Sequence, residues 1–387
     1  MNYISPVPHN FRTPILDILR GWALFGVVLM NYSTIYSWNT HSNQLESDVF
    51  TKIIETSSEL LFGSKGWSLL AILFGYGFSI LLKNIDNSQR SRVAFFIKRM
   101  LLLFVFAFVN TLFFGGDILN DYAFLGLILL LFHKLNSKSL LIIGIAILIF
   151  TPILQSYLGK LHLLFAAKDR DHFYTLYNNN NFFDHIKANL FMRYKWMLRL
   201  SYSVIFHLIQ LGCIIIGVVL QRSNILVQLT TNNKLVKKVF FTSLIISIAL
   251  YLLGQSIEKY EWAITKYYNL YYPQALSIMT FTTSCIVMWY NSKRNPKLYS
   301  ALQSIGRMTL TNYVVQNIIS FFLFICIKPN WALHYYLLTG ITIYFLQVLF
   351  SQYWLKGYNY GLLEWLWRSL SYGQMFQLKK QKSELTD

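Results

Sequence analysis

The groups in this sequence that could do chemistry are polar side chains set inside apolar stretches. In LDILRGWALFGVVLMNY, Leu16 to Tyr32, the residues Asp17, Arg20 and Asn31 interrupt a run otherwise suited to a bilayer. At about 100° per residue the three fall in a stripe roughly 60° wide. An ionisable group costs a few kcal/mol at the centre of a membrane helix, so it turns toward protein or a water-filled cavity. Asp17 and Arg20, three residues apart, can pair and lower that cost. The helix is therefore expected to line a passage; a purely structural salt bridge near its end is the competing reading. Arg99 and Asn110 repeat the spacing of Arg20 and Asn31 and share a face. A third stretch, IGRMTLTNYVVQN, collects Arg307, Thr309, Thr311, Asn312, Gln316 and Asn317. On one continuous helix Arg307 and Thr311 share a side, with Thr309, Asn312 and Gln316 nearly opposite. Polar on two sides, such a helix belongs in the middle of a bundle.

Two further groups concern proton transfer. FGGDILNDYA places Asp117 and Asp121 four residues apart, a spacing that suits a general base and an orienting partner. Asp also serves commonly as a turn or cap residue. His172 and His185 lie in the polar segment KDRDHFYTLYNNNNFFDH. His207 and Gln210, one helical turn apart, read as a satisfied polar pair. Cys213, Cys285 and Cys326 all sit in apolar runs, which gives neither a disulfide framework nor a metal spacing. No HExxH, GxSxG or Walker pattern occurs, and FGYGF is a small-residue packing step rather than a nucleotide motif.

The elements that must position these groups are membrane helices. Hydrophobic residues form 55% of the chain and charged residues 13%, against roughly 25% charged in ordinary soluble domains. Apolar runs recur about ten times, at 15–36, 66–83, 98–114, 118–133, 139–158, 200–220, 238–254, 271–290, 305–327 and 332–355. The run 118–133 is the shortest. Basic residues gather after alternate runs: Lys83, Arg90, Arg92, Lys98 and Arg99; Lys134 and Lys138; Arg222, Lys234, Lys237 and Lys238; Lys293, Arg294 and Lys297; and Lys379, Lys380 and Lys382. Intervening loops are acidic or mixed, with Glu46, Asp48, Glu55 and Glu59 in the first, and with Glu258 and Glu261 offset by Lys259 and Lys266 in a later one. The positive-inside rule then puts both termini in the cytoplasm. It also accounts for the excess of 34 Lys+Arg over 16 Asp+Glu without nucleic acid. The first apolar run holds Asp17 and Arg20 and lacks a small-x-small site, so it is expected to stay as a helix rather than be cleaved.

The expected fold is an all-α polytopic bundle, read as one integral membrane domain over 1–387. Residues 15–158 hold five spans and 200–355 five more. Between them 159–199 form a long extracytoplasmic loop, and long loops of this kind often act as lids or binding segments. Residues 356–387 add an amphipathic interfacial stretch, YGLLEWLWRSLSYG, and a basic tail. Under this topology Arg20, Arg99 and Arg307 all sit near cytoplasmic helix ends. Three guanidiniums there would suit a phosphorylated cytosolic ligand, because the planar fork grips phosphate with two bonds. Anionic lipid headgroups compete for the same role.

These blocks together resemble the YeiB-like family of bacterial polytopic membrane proteins. LDxLRGxALxGxxxxN matches Leu16–Asn31, LFGxGF matches Leu73–Phe78, and GDILxxYAxxG matches Gly116–Gly126. GRMxLTNYxxQ matches Gly306–Gln316, and FSxxWLxxxxxGxLEWLWRxLxYG matches Phe350–Gly373. The blocks run in order over nearly the whole chain. Two positions depart from the pattern: Ala107 and Asn110 stand where relatives have a Gly-x-x-His step, and Leu362 stands where they have Pro. The family is similar to a superfamily of transmembrane acyltransferases that includes heparan-alpha-glucosaminide N-acetyltransferase.

The resemblance implies a plasma-membrane protein of a bacterium that moves an acyl group, acetyl foremost, from cytoplasmic acyl-CoA to an extracytoplasmic sugar, glycan or lipid-linked acceptor. No tightly bound cofactor is expected; acyl-CoA is a co-substrate. Arg20, Arg99 and Arg307 would hold the CoA end. Asp17, Asn31, Thr311, Asn312 and Gln316 would line the passage. Asn110, Asp117, Asp121, His172 and His185 are the catalytic candidates. A carrier or flippase for a small anion or lipid-linked metabolite could use the same passage, and a non-enzymatic membrane partner is the third reading.

Overall fold

The computed structural model of the protein describes residues 13–43, 49–84, 89–160, 167–179, 181–198, 200–260 and 267–381. Glu46, Asp48, Glu261, Lys266 and Lys382, used above for orientation, lie outside these residues. The first helices are α1 (Pro14–Asn43), α2 (Val49–Phe62), α3 (Lys65–Asn84) and α4 (Gln89–Phe113). Next come α5 (Leu119–Leu129), α6 (Ser137–Lys160), α7 (Ala167–Asn178) and α8 (Phe182–Phe191). The second half holds α9 (Leu200–Arg222), α10 (Ile225–Thr231), α11 (Asn233–Tyr260) and α12 (Tyr271–Asn291). It closes with α13 (Pro296–Arg307), α14 (Thr309–Ser320), α15 (Leu333–Gly357) and α16 (Leu362–Tyr372). No strand occurs among the described residues.

Among those residues, eight helices are long and apolar enough to cross a membrane. The other two expected spans are also helical. One is α5, continued by a tight 3-10 turn through Phe132, and the other is the 21-residue α12. The chain is a multi-pass membrane protein. Its centre is α1, which packs against α3, α13, α14 and α15, whereas α6 and α11 leave most of their apolar surface exposed to lipid at the rim. Asp17 near the start of α1 and Glu364 in α16 line one cavity, so both ends of the described chain lie on one face.

Glycines set the closest helix approaches. A Cβ at Gly75 of α3 would lie 1.9 Å from the Ile214 carbonyl oxygen, and one at Gly217 of α9 would lie 1.9 Å from that of Ile72. These helices touch backbone to backbone, as small residues allow in a membrane. The same holds where α13 crosses α1: a Cβ at Gly306 would meet the Asp17 carbonyl oxygen at 1.8 Å.

That crossing corrects the ninth span. The sequence reading treats 305–327 as one helix, but the chain breaks at Met308, with φ −117° and ψ 29°. Arg307 therefore ends α13 while Thr311 belongs to α14, and the two do not share a helix face. The helix restarts because its free N–H groups find a distant acceptor. Glu364 Oε1 takes the backbone N–H of Leu310 at 2.6 Å and of Thr311 at 3.1 Å, and Oε2 takes the Thr311 hydroxyl. A carboxylate at a helix N-terminus satisfies orphan donors and meets the positive end of the dipole.

The long loop is also more ordered in form than its composition indicates. It contains α7, α8 and a π-helical turn at Met192–Trp196. Asn181 caps α8 by accepting from Phe183 N–H at 3.0 Å. Phe173 and Tyr177 of α7 are fully buried against Trp38 of α1, and Tyr177 donates to Asn39 Oδ1 at 2.6 Å. The segment thus sits on the outer ends of α1 and α4.

Candidate functional site

A cavity of about 400 Å³ runs into the bundle from the face that carries the chain ends. At its mouth stand Arg20 of α1, Arg99 of α4, Arg307 of α13 and Arg368 of α16. Among the described residues the only carboxylates in its wall are Asp17 and Glu364, so the cations are in excess there. Arg20 Nη1 donates to Asp17 Oδ1 at 2.6 Å, the i,i+3 pair that the α1 stripe predicts. The Arg99 guanidinium carbon lies 3.8 Å from the centre of the Trp367 ring, and the Trp367 indole N–H donates to the Arg99 carbonyl at 3.0 Å. Arg368 lies 4.7 Å over the Tyr360 ring. Stacking fixes these guanidiniums while leaving their N–H edges able to take an anion.

Farther in, the wall becomes apolar. Leu70, Leu73, Phe74 and Leu103 narrow it, and it ends at Ile118, Leu119, Tyr122 and Tyr313. The Tyr313 hydroxyl accepts the backbone N–H of Ile118 at 3.3 Å, and the Tyr122 hydroxyl donates to the Trp67 carbonyl at 2.7 Å. Ile118 directly follows Asp117, so the deep end of the cavity abuts the turn between α4 and α5.

Asp117 is fully buried in that turn and collects amide donors. Asn110 Nδ2 donates to its Oδ1 at 2.7 Å; the Asn120 backbone N–H and Nδ2 donate to Oδ2 at 3.1 and 2.8 Å. The series continues inward. Asn317 Nδ2 donates to Asn110 Oδ1 at 3.1 Å, and Asn31 and Gln316 both donate to Asn317 Oδ1, at 3.1 and 2.7 Å. Side chains of α1, α14 and α4 are thereby aligned with their donors toward one carboxylate. Burial raises the Asp117 carboxyl to about 6, partly opposed by the nearby Arg193 charge and by the hydrogen bonds it accepts.

Asp121, one turn along and also fully buried, is held differently. The Arg193 guanidinium reaches both its oxygens, Nη1 to Oδ2 at 3.3 Å and Nη2 to Oδ1 at 2.5 Å. His207 Nε2 lies 2.8 Å from the same Oδ1. The other ring nitrogen, Nδ1, faces the Ser203 carbonyl at 2.6 Å and its hydroxyl at 3.0 Å. Both nitrogens of His207 are committed within the cluster. The two carboxylates therefore differ: Asp121 is paired directly with a buried guanidinium, and Asp117 is held by amide donors and the Tyr313 hydroxyl, with the Arg193 charge nearby.

The remaining candidates are placed elsewhere. His172 is exposed on α7 and rests on Phe191. His185 is buried between Tyr177 and Phe321, its Nδ1 has no partner, and burial and Lys328 lower its pKa. Asp117 and Asp121 draw their partners from Asn110, Asn120, Tyr313, Arg193 and His207, and from neither loop histidine. Of the expected passage residues, Asp17 lines the cavity. Thr311 binds Glu364, Asn312 donates to Ser351 at 2.9 Å, and Asn31 and Gln316 join the amide series. Sequence reasoning missed Arg193, Glu364, Trp367 and Arg368. The signal for the last three lay in EWLWR, where charges alternate with indoles. Arg193 carries no such mark, being one cation in the mixed segment MRYKW.

Comparison with known proteins finds relatives that are themselves uncharacterized. A family model described as "Protein of unknown function (DUF418)" matches residues 220–374, which include Arg307, Glu364 and Trp367. The chain is similar to the uncharacterized protein YxaH of Bacillus subtilis (strain 168), 25% identical over 414 residues, covering 96% of this chain and 97% of that protein. It is also similar to the uncharacterized protein YeiB of Escherichia coli (strain K12), 26% identical over 403 residues, covering 93% and 96%. No solved structure matches.

Proposed function

We propose that this chain, which belongs to the YeiB-like family of bacterial polytopic membrane proteins, is an acyltransferase in the cytoplasmic membrane. It would take an acyl group, acetyl foremost, from cytoplasmic acyl-CoA and pass it to an extracytoplasmic sugar, glycan or lipid-linked hydroxyl or amine. The supporting observation is the single cavity with arginines at the mouth and the Asp117 turn at its end. Arg20, Arg99, Arg307 and Arg368 suit the phosphates of CoA, and the apolar stretch beyond them suits a pantetheine arm. In this reading Asp117 removes the proton from the acceptor as its oxygen or nitrogen attacks the thioester carbonyl. The carbon–sulfur bond then breaks, and the proton passes from Asp117 to the departing thiolate. A base with a pKa near the working pH is efficient in this role. Asn110 orients Asp117, so its standing where relatives have His leaves a base in place.

The test is binding and turnover of acetyl-CoA by the full chain in nanodiscs, with Arg20→Ala and Arg99→Ala beside it. A charge-assisted hydrogen bond is worth about 1.5–3 kcal/mol, so each change should weaken binding roughly 10- to 100-fold. Absence of binding across short acyl-CoAs would overturn the proposal. A second reading, a carrier for a small anion, draws on the break at Met308, because transporters commonly build their sites at interrupted helices. It requires uptake of the anion into proteoliposomes with no covalent change.

A further inference from the structure

A second cavity, of about 580 Å³, opens on the same face between α13, α15 and the tail after α16. Arg307, Lys356 and Lys380 lie in its wall, and among the described residues no carboxylate does. Neither lysine is in an ion pair among the described residues; Lys356 is exposed and Lys380 half-buried. The Arg307 Nη2 donates to the Asn359 carbonyl at 3.2 Å, but its buried Nε has no partner. Ser300, Gln303 and Gln352 add neutral donors to the same wall. Asp17 acts on Arg307 from the first cavity, but neither lysine has an acid partner among the described residues, and the three cations suit an anion of more than one charge or several oxygens, which a phosphate ester supplies.

The position of the cavity along α15 narrows the source. Lys356 is in the last turn of that helix. Just before it, Leu349, Phe350 and Tyr353 are 47%, 50% and 75% exposed, as side chains facing lipid are. Leu349 and Tyr353 also line the cavity. It therefore opens sideways at the depth where acyl chains give way to headgroups, with basic residues at the aqueous end and apolar ones at the other.

We propose that this cavity binds the phosphate ester of an anionic phospholipid of the inner leaflet. The phosphate rests on Arg307, Lys356 and Lys380, and the acyl chains run along Leu349 and Tyr353. Arg307 lies in the walls of both cavities, so an occupied lipid site fixes a guanidinium that the first cavity also presents. The lipid site does not depend on the acyl-transfer reading.

The full chain in phosphatidylcholine nanodiscs or detergent is titrated with phosphatidylglycerol, glycerol 3-phosphate and inorganic phosphate, and binding is read by native mass spectrometry and thermal shift. The variants are Lys356→Gln/Lys380→Gln and, as a control on another basic loop, Lys138→Gln. Neither target lysine is buried, and an unchanged size-exclusion profile confirms folding. Phosphatidylglycerol is expected to bind the wild type at least fivefold more tightly than the double variant and equally to the control. Glycerol 3-phosphate should bind far more weakly than the lipid. Equal lipid affinity in wild type and double variant would overturn the site. Glycerol 3-phosphate binding as tight as the lipid, and lost in the double variant, would overturn the lipid source. No acyl-CoA is present, so the outcome is separate from any result on acyl transfer.

Discussion

Replacing Asp117 with asparagine should make the protein more stable and less active at once. Its carboxyl is raised by burial to about 6, from an ordinary 3.8. At 1.36 kcal/mol per unit, the charged form costs the fold about 3 kcal/mol relative to the unfolded chain. A carboxyl with a folded pKa above its unfolded value keeps its proton longer in the folded state. Its contribution to stability is thus complete below about pH 4 and falls away as the pH rises toward 6. Asparagine has no charge to lose. It does bring one conflict, because its NH2 or that of Asn110 must turn where Asn110 Nδ2 now donates to Oδ1 at 2.7 Å. One hydrogen bond forgone costs about 1 kcal/mol. The expected net gain is about 1–2 kcal/mol at pH 8, and at pH 4 the gain should vanish or reverse.

Unfolding of the wild type and Asp117→Asn in detergent at the two pH values measures this difference, with other carboxylates cancelling between the two proteins. Activity should move the other way. Loss of a general base lowers the rate of acyl transfer by roughly 10²–10⁴. In the wild type, kcat/KM should rise with pH through about 6 and then level off, since the base acts when deprotonated. The acid limb should be absent from any residual activity of the variant. A variant that is less stable at pH 8 would refute the buried-charge reasoning. One with full activity and the same acid limb would refute the role as base.

Three further outcomes follow from other contacts. Arg193→Met leaves the fully buried Asp121 without its guanidinium, and stability should fall by about 3–5 kcal/mol; adding Asp121→Leu should recover more than half of that loss, as a double-mutant cycle in thermal unfolding would read. Gly306→Ala puts a Cβ against the Asp17 carbonyl and must part α1 from α13, at a cost of about 1–3 kcal/mol, seen as lower yield of folded protein and a lower Tm. Glu364→Ala uncaps α14 and should cost about 1–2 kcal/mol, with faster hydrogen exchange at the Leu310 and Thr311 amides as its local mark; unchanged exchange there would show that another group caps the helix.

The parts legible in the sequence are those decided within a turn or two of helix. The Asp17–Arg20 pair spans three residues, whereas the Asn110–Asp117 bond crosses the end of α4 and is not legible there. Helix existence follows from apolar runs, and the bundle follows from their number. The features that escaped are settled by contacts far along the chain. Arg193 meets its acid across 72 residues, and Glu364 caps α14 from 54 residues away. The break at Met308 is of the same kind. Nothing within GRMTLT forbids a continuous helix, and only the backbone contact of Gly306 with α1 and the carboxylate from α16 make a second N-terminus stable there. The helices of 159–199 escaped for a different reason: their burial is confined to a few aromatic positions such as Phe173 and Tyr177, amid Asn and charged residues that mask any apolar period. Buried amides are an intermediate case. Asn31, Asn110, Gln316 and Asn317 stand out as polar groups at helical spacing, and each must find a partner in a membrane. Their spacing cannot tell a closed helix–helix seam from a series that ends on a base. What separates the two is the last acceptor, and here it is a carboxylate one residue from a cavity open to the opposite face. A seam made only for packing would gain nothing from ending on a carboxylate whose charge burial penalises.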